Sequence, residues 1–180
     1  MGSVPDLMTV GKGILSSYYP RESRVSTSRI SVVFAVEQKI FLQALTFGGQ
    51  PVCAASALAN IEIIESENLV NNSARTGLYL LNKLKELQEN HPIVGDVRGL
   101  GLLLGLELVK NRDTKESFTP KSGMSKILNK EFRANGLILF ATDKGVSLSP
   151  PLCIKRSEVD FIIDGIHKSL STVEKELSIL

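Results

Sequence analysis

Val94-Gly95-Asp96-Val97-Arg98-Gly99-Leu100-Gly101-Leu102-Leu103-Leu104-Gly105-Leu106-Glu107-Leu108-Val109 is where the sequence changes period. Extended chain runs from Val94 to Arg98, breaks at Gly99-Leu100-Gly101, and resumes as an apolar run to Val109 that only Gly105 and Glu107 interrupt. Such runs, bounded by glycine, read as a hairpin or bent strand. Upstream the spacing is helical. Leu69, Val70, Ala74, Leu78, Leu81, Leu84 and Leu87 recur as an amphipathic stripe, which His91-Pro92 closes. An earlier helix is expected from Pro51 to about Ser66, because proline suits the first helical position and Ala54, Ala55, Ala57 and Ala59 favour helix.

Downstream, residues 111–123 are polar, hold Pro120 and read as a loop. A helix over about Met124 to Asn135 follows, ended by Gly136 in a position suited to a left-handed cap. Leu137 to Ala141 and Val146 to Ser149 are expected to pair as strands about the turn Asp143-Lys144-Gly145. Pro150-Pro151 stops the second strand, and Ser157 with Asp160 resembles a capping box opening the last helix. Val159, Ile162, Ile163, Ile166, Leu170, Val173 and Leu177 form that helix's apolar stripe. The order helix, two strands, helix, two strands, helix predicts an α+β unit of helices on one small sheet.

The 180 residues are 43% hydrophobic and 22% charged with a net charge of +2, a balance that points to neither nucleic acid nor a membrane span. Residues 1–6 lack the features of a secretory signal, so a cytoplasmic protein is expected. Cys53 and Cys153 read as buried, reduced structural thiols, and no metal site is expected. His91 and His167 read as surface or boundary residues with no partner near in sequence.

Chemistry comes from four ordered segments: residues 5–14 (PDLMTVGKGI), 45–55 (LTFGGQPVCAA), 96–102 (DVRGLGL) and 148–152 (LSPPL). Together they resemble the signatures of class III pyridoxal-phosphate-dependent aminotransferases, with the ω-amino-acid:pyruvate type nearest. The resemblance implies fold type I, an α/β architecture. Residues 1–66 would end the large cofactor-binding domain, and residues 67–180 would form the small α+β C-terminal domain. It also implies that Lys12 condenses with the aldehyde of pyridoxal 5'-phosphate and then, as a free amine, moves a proton between substrate Cα and cofactor C4′. A primary amine whose pKa is lowered by its surroundings can do both. A lysine between two glycines is by itself an ordinary loop residue; the flanking segment is what gives Lys12 its reading. Thr46 matches the threonine that reaches the cofactor phosphate of the neighbouring subunit, which implies a homodimer. The implied reactants are a small amine or amino acid and an oxo acid.

Several positions depart from the pattern. Arginines that bind an α-carboxylate in this family align with Phe140 and Ser147, so the substrate-binding residues are not assigned and a preference for amines is one expectation. Arg98 in the DVRGLGL segment is expected to brace the structure rather than clamp a substrate. Arg21, Glu22, Ser23, Arg24 and Arg29 replace small and apolar residues; a solvated loop and a shifted reading frame both account for them. Family chains are more than twice as long, and the aspartate that pairs with the pyridine nitrogen lies in the part this chain does not match. Asp6 does not replace it. The chain is therefore expected to be weak or inactive in transamination by itself, with a structural remnant or one half of a split enzyme as the alternatives. Exposed apolar surface is expected on the Pro51 helix.

Overall fold

The computed structural model describes residues 4–18, 22–36, 39–42 and 49–178. The chain divides into two compact units, Met1–Asn68 and Leu69–Leu180.

In the first unit β1 (Leu7–Gly11) pairs antiparallel with β2 (Glu22–Ser26), Leu7 opposite Ser26 and Gly11 opposite Glu22. Of the arginine-rich stretch, for which a solvated loop is one of two expectations, residues 22–26 therefore form a strand. A short α1 (Ser28–Ser31) follows it. Arg29 on α1 reaches the Asp6 carboxylate at 2.5 Å, an exposed pair that ties the start of β1 to the residues after β2. α2 (Pro51–Ser66) begins on its proline, as composition dictates, and buries Cys53. Its other apolar residues are scattered round the helix: Val52, Leu58, Ile61 and Ile63 are exposed. A helix that is apolar on all sides is normally covered on all sides.

The second unit is built from α3 (Leu69–Asn90), the hairpin β3 (Val94–Leu100) and β4 (Leu103–Asn111), a two-residue β5 (Glu116–Ser117), α4 (Met124–Ala134), β6 (Ala141–Thr142), β7 (Gly145–Leu148) and α5 (Arg156–Glu176). All strand pairs are antiparallel in the order β3-β4-β7-β6, with β5 added to β4. Leu104, Leu106 and Leu108 of β4 are buried while Leu103 is exposed, so the helices cover one face of the sheet. Phe132 of α4, Leu80 and Leu84 of α3, and Val159, Ile166 and Leu170 of α5 complete that core. Among the described residues no helix is long and apolar enough to cross a membrane.

Four local expectations change. The buried stripe of α3 runs through Thr76, Gly77, Leu80, Leu84 and Leu87, leaving Val70 and Leu78 exposed. Residues 137–140 belong to no strand, and β6 begins only at Ala141: in the β6–β7 register, Ala141 opposite Val146, Leu137 would face Pro150, which has no N–H to give. Instead Asn129 of α4 brackets Ala141, donating to its carbonyl at 2.8 Å and accepting its amide at 2.8 Å. The α5 box sits earlier than Ser157 and Asp160, with the Glu158 carboxylate accepting the Lys155 amide at 2.8 Å. Cys153 is exposed, not buried; Cys53 is buried, and both are free thiols.

The Gly99-Leu100-Gly101 break works through a close approach. A Cβ on Gly77 of α3 would stand 2.2 Å from the carbonyl carbon and oxygen of Gly101, whose φ is +56°. The helix can reach the hairpin only because Gly77 has no side chain. Gly77→Ala is expected to cost about 1–3 kcal/mol from overpacking, even though alanine is the better helix former by about 1 kcal/mol. Urea unfolding checks this; an unchanged or raised midpoint would contradict the close approach.

Candidate active site

β1 delivers the chain to Gly11, and Lys12 opens the 3-10 turn Lys12–Leu15 with φ +48°. Left-handed backbone costs a side-chain-bearing residue about 1–2 kcal/mol, so the turn must be held from outside. Asn60 of α2 holds it. Its carboxamide nitrogen donates to the Gly13 carbonyl at 3.0 Å and the Ile14 carbonyl at 3.2 Å, and its oxygen accepts from the Ser16 hydroxyl at 2.6 Å. Leu15, 1% exposed, anchors the turn. The Ser17 amide donates back to the Lys12 carbonyl at 3.2 Å.

Lys12 itself is exposed. Among the described residues its ammonium makes no hydrogen bond or ion pair. Space beside it is open, since a Cβ on Gly13 would meet nothing within 4 Å. An unpaired primary amine on a pinned turn fits an incoming aldehyde. Asp6 is engaged with Arg29. Asn60 was not foreseen from sequence; the only hint is an amide in an otherwise alanine-rich and aliphatic helix. Asn60→Ala removes three hydrogen bonds worth about 0.5–1.5 kcal/mol each. The Ser17 and Tyr18 amides are expected to exchange at least about tenfold faster in consequence; unchanged protection would show that something else holds the turn.

Thr46 lies outside the described residues. Arg98 of β3 is 66% exposed, yet its guanidinium donates to Asp96 and, at 2.6 Å, to Glu107. Asp96 and Glu107 face each other across the β3–β4 ladder, an arrangement that like charges disfavour. The cation between them makes it tolerable, and its two hydrogen bonds, to Glu107 first and then Asp96, raise its own pKa above the usual arginine value. Arg98 is thus a cross-strand brace with its charge already matched.

Phe140 and Ser147 line one cleft, of about 620 Å³, together with Phe161, Pro150 and Cys153. No lysine or arginine lines it, and Glu158 is its one charged residue. Among the described residues no group of three or more His, Cys, Asp or Glu is arranged to hold a metal.

His91 sits at the exit of α3, the boundary expected of it, but not at the surface. It is 2% exposed; its Nδ1 lies 2.8 Å from Glu174 Oε2, also buried, and its Nε2 lies 2.7 Å from His167 Nδ1. The partners are 83 and 76 residues away in sequence, so no local pattern could reveal them. They join the end of α3 to α5 inside the second unit.

Residues 1–170 match the family model described as aminotransferase class-III. The taurine–pyruvate aminotransferase of Bilophila wadsworthia is 37% identical over 97% of this chain and 40% of its own. The putrescine–pyruvate aminotransferase of Pseudomonas aeruginosa is 39% identical over 94% of this chain and 37% of its own. A thermostable (S)-enantioselective omega-transaminase from Thermomicrobium roseum superposes with a TM-score of 0.89 at 39% identity, over 96% of this chain and 38% of that one. This chain thus spans about 40% of the length of such relatives. Both the fold and the segments around Lys12, Arg98 and Pro150-Pro151 fall within the matched residues, and the chain belongs to the class-III aminotransferase family.

Proposed function

We propose that this chain supplies the cofactor-bearing lysine and the C-terminal domain of a pyridoxal-phosphate-dependent transaminase, which passes an amino group from an amine or amino acid to a 2-oxo acid. The observation that carries the reading is Lys12: an unpaired amine, on a turn clamped by Asn60, in a segment that resembles the one bearing the family's cofactor lysine. Bound pyridoxal phosphate would supply an electron sink for the substrate's Cα electrons. The chain's own part is narrower. Lys12 Nζ would hold the cofactor through its aldehyde and would be the atom that takes and returns a proton. Asn60 fixes where that atom starts. Thr46 would hold the cofactor phosphate across a cytoplasmic homodimer. Residues 1–66 belong to the large domain and residues 67–180 are the small one; the apolar exposed residues of α2 are consistent with cover by further large-domain polypeptide.

The cleft holding Phe140 and Ser147 offers no cation to a carboxylate. This favours donors in which that position is uncharged. The 180-residue chain spans about 40% of the length of its relatives, so turnover by this chain alone is expected to be slow. The test supplies pyridoxal phosphate, an amine donor and pyruvate to the chain alone, and to the chain joined to a large-domain segment from a family member, with Lys12→Ala as the blank. Alanine formation is expected to be weak in the first and strong in the second. Alanine at blank level in both would contradict the reading.

A further inference from the structure

A second cleft, of about 430 Å³, lies wholly within the Leu69–Leu180 unit. It is lined by Asn72, Arg75 and Thr76 of α3 and by Lys155 and Arg156 where α5 begins. Three of its five lining residues are cations and none is a carboxylate.

The floor is rigid. Asn72 donates to the carbonyls of Leu152 at 2.7 Å and Ile154 at 3.1 Å, and its oxygen accepts from the Thr76 hydroxyl at 3.1 Å. These bonds lock the segment leading into α5 against α3. Among the described residues none of Arg75, Lys155 and Arg156 makes an ion pair. The acids nearby in sequence are engaged elsewhere: Glu158 accepts the Lys155 amide at 2.8 Å, and Asp160 accepts the Tyr79 phenol at 2.6 Å. The Arg156 guanidinium lies 5.1 Å from the centre of the Tyr79 ring, a cation–π contact that fixes the head group without neutralising it.

The charges also sit where the backbone disfavours them. Lys155 is the N-cap and Arg156 the first residue of α5, the positive end of the helix dipole, where an anion is stabilised and a cation is not. Three like charges repel one another as well. A bound anion relieves both strains, and a guanidinium's planar fork of donors suits the oxygens of a tetrahedral oxyanion.

We infer that this cleft binds a phosphate group, free or as a monoester. The inference uses no residue of the first unit and does not depend on the chemistry proposed for Lys12.

The test titrates the whole chain with inorganic phosphate, and separately with a phosphate monoester that lacks an aldehyde, against chloride at fixed ionic strength. Binding is read by calorimetry and by the amide resonances of Thr76 and Arg156. Saturable binding is expected, weakened at least tenfold in the Arg75→Gln/Arg156→Gln double variant and unchanged in Lys168→Gln, which alters a lysine of the same helix paired with Asp164. Far-ultraviolet circular dichroism confirms that the double variant is folded, and Arg75→Gln alone serves if it is not. Tighter binding of the monoester or of free phosphate identifies the source, and either supports the site. No saturable binding, binding equal to that of chloride, or equal affinity in the variant overturns it.

Discussion

Lys12→Ala is expected to lower amino transfer by about a thousandfold or more in the completed protein, because it removes both the covalent anchor and a proton-transfer group worth about 10²–10⁴ in rate. Lys12→Arg should fail as badly, since a guanidinium keeps its proton and does not condense with an aldehyde under these conditions. The backbone sharpens the test. Lys12 holds φ +48°, a conformation that glycine adopts at little cost. Lys12→Gly is therefore expected to raise the stability of the turn by up to about 1 kcal/mol while destroying the chemistry. Opposite movement of stability and rate would mark a residue kept for its amine. Loss of both together would instead point to a lysine that serves the fold.

His91→Ala is expected to destabilise the Leu69–Leu180 unit by about 3–5 kcal/mol in urea unfolding, the cost of removing one partner from a buried, hydrogen-bonded pair. Glu174 is 2% exposed and its Oε1 already lacks a partner among the described residues. Without the imidazole, Oε2 would lose its bond as well. Removing the carboxylate together with the imidazole, in His91→Ala/Glu174→Leu, should recover part of the loss, because the residual cost is then mainly that of a cavity. A single-variant loss below about 1 kcal/mol would mean that Glu174 finds water or another donor.

Most of the second unit was legible in the sequence because local rules agree with the global fold there. Gly136 and the Asp143-Lys144-Gly145 turn act through their own backbone, and each sits where its chemistry predicts. Residues 137–140 mislead because a short apolar run makes a strand only where tertiary packing gives it a partner, and local pattern does not say where that is. The stripe on α3 shifts to Leu80 because Gly77 admits the hairpin at that angle. His91 was invisible for a different reason: its partners are brought to it only by packing of α5 on α3.

The candidate site divides in the same way. Lys12 could be named from its segment, and Arg98 as a brace from the glycines beside it. Asn60 could not, because its function lies in two carbonyls more than forty residues earlier. The cationic cleft was equally hidden, since Arg75 and Arg156 belong to separate helices.

The most direct measurement is borohydride reduction of the chain mixed with pyridoxal phosphate, followed by peptide mapping. Selective labelling of Lys12, reduced in Asn60→Ala, is the predicted result. Label distributed over exposed lysines such as Lys144 and Lys168, with none in excess at Lys12, would contradict the assignment of this turn as the cofactor anchor.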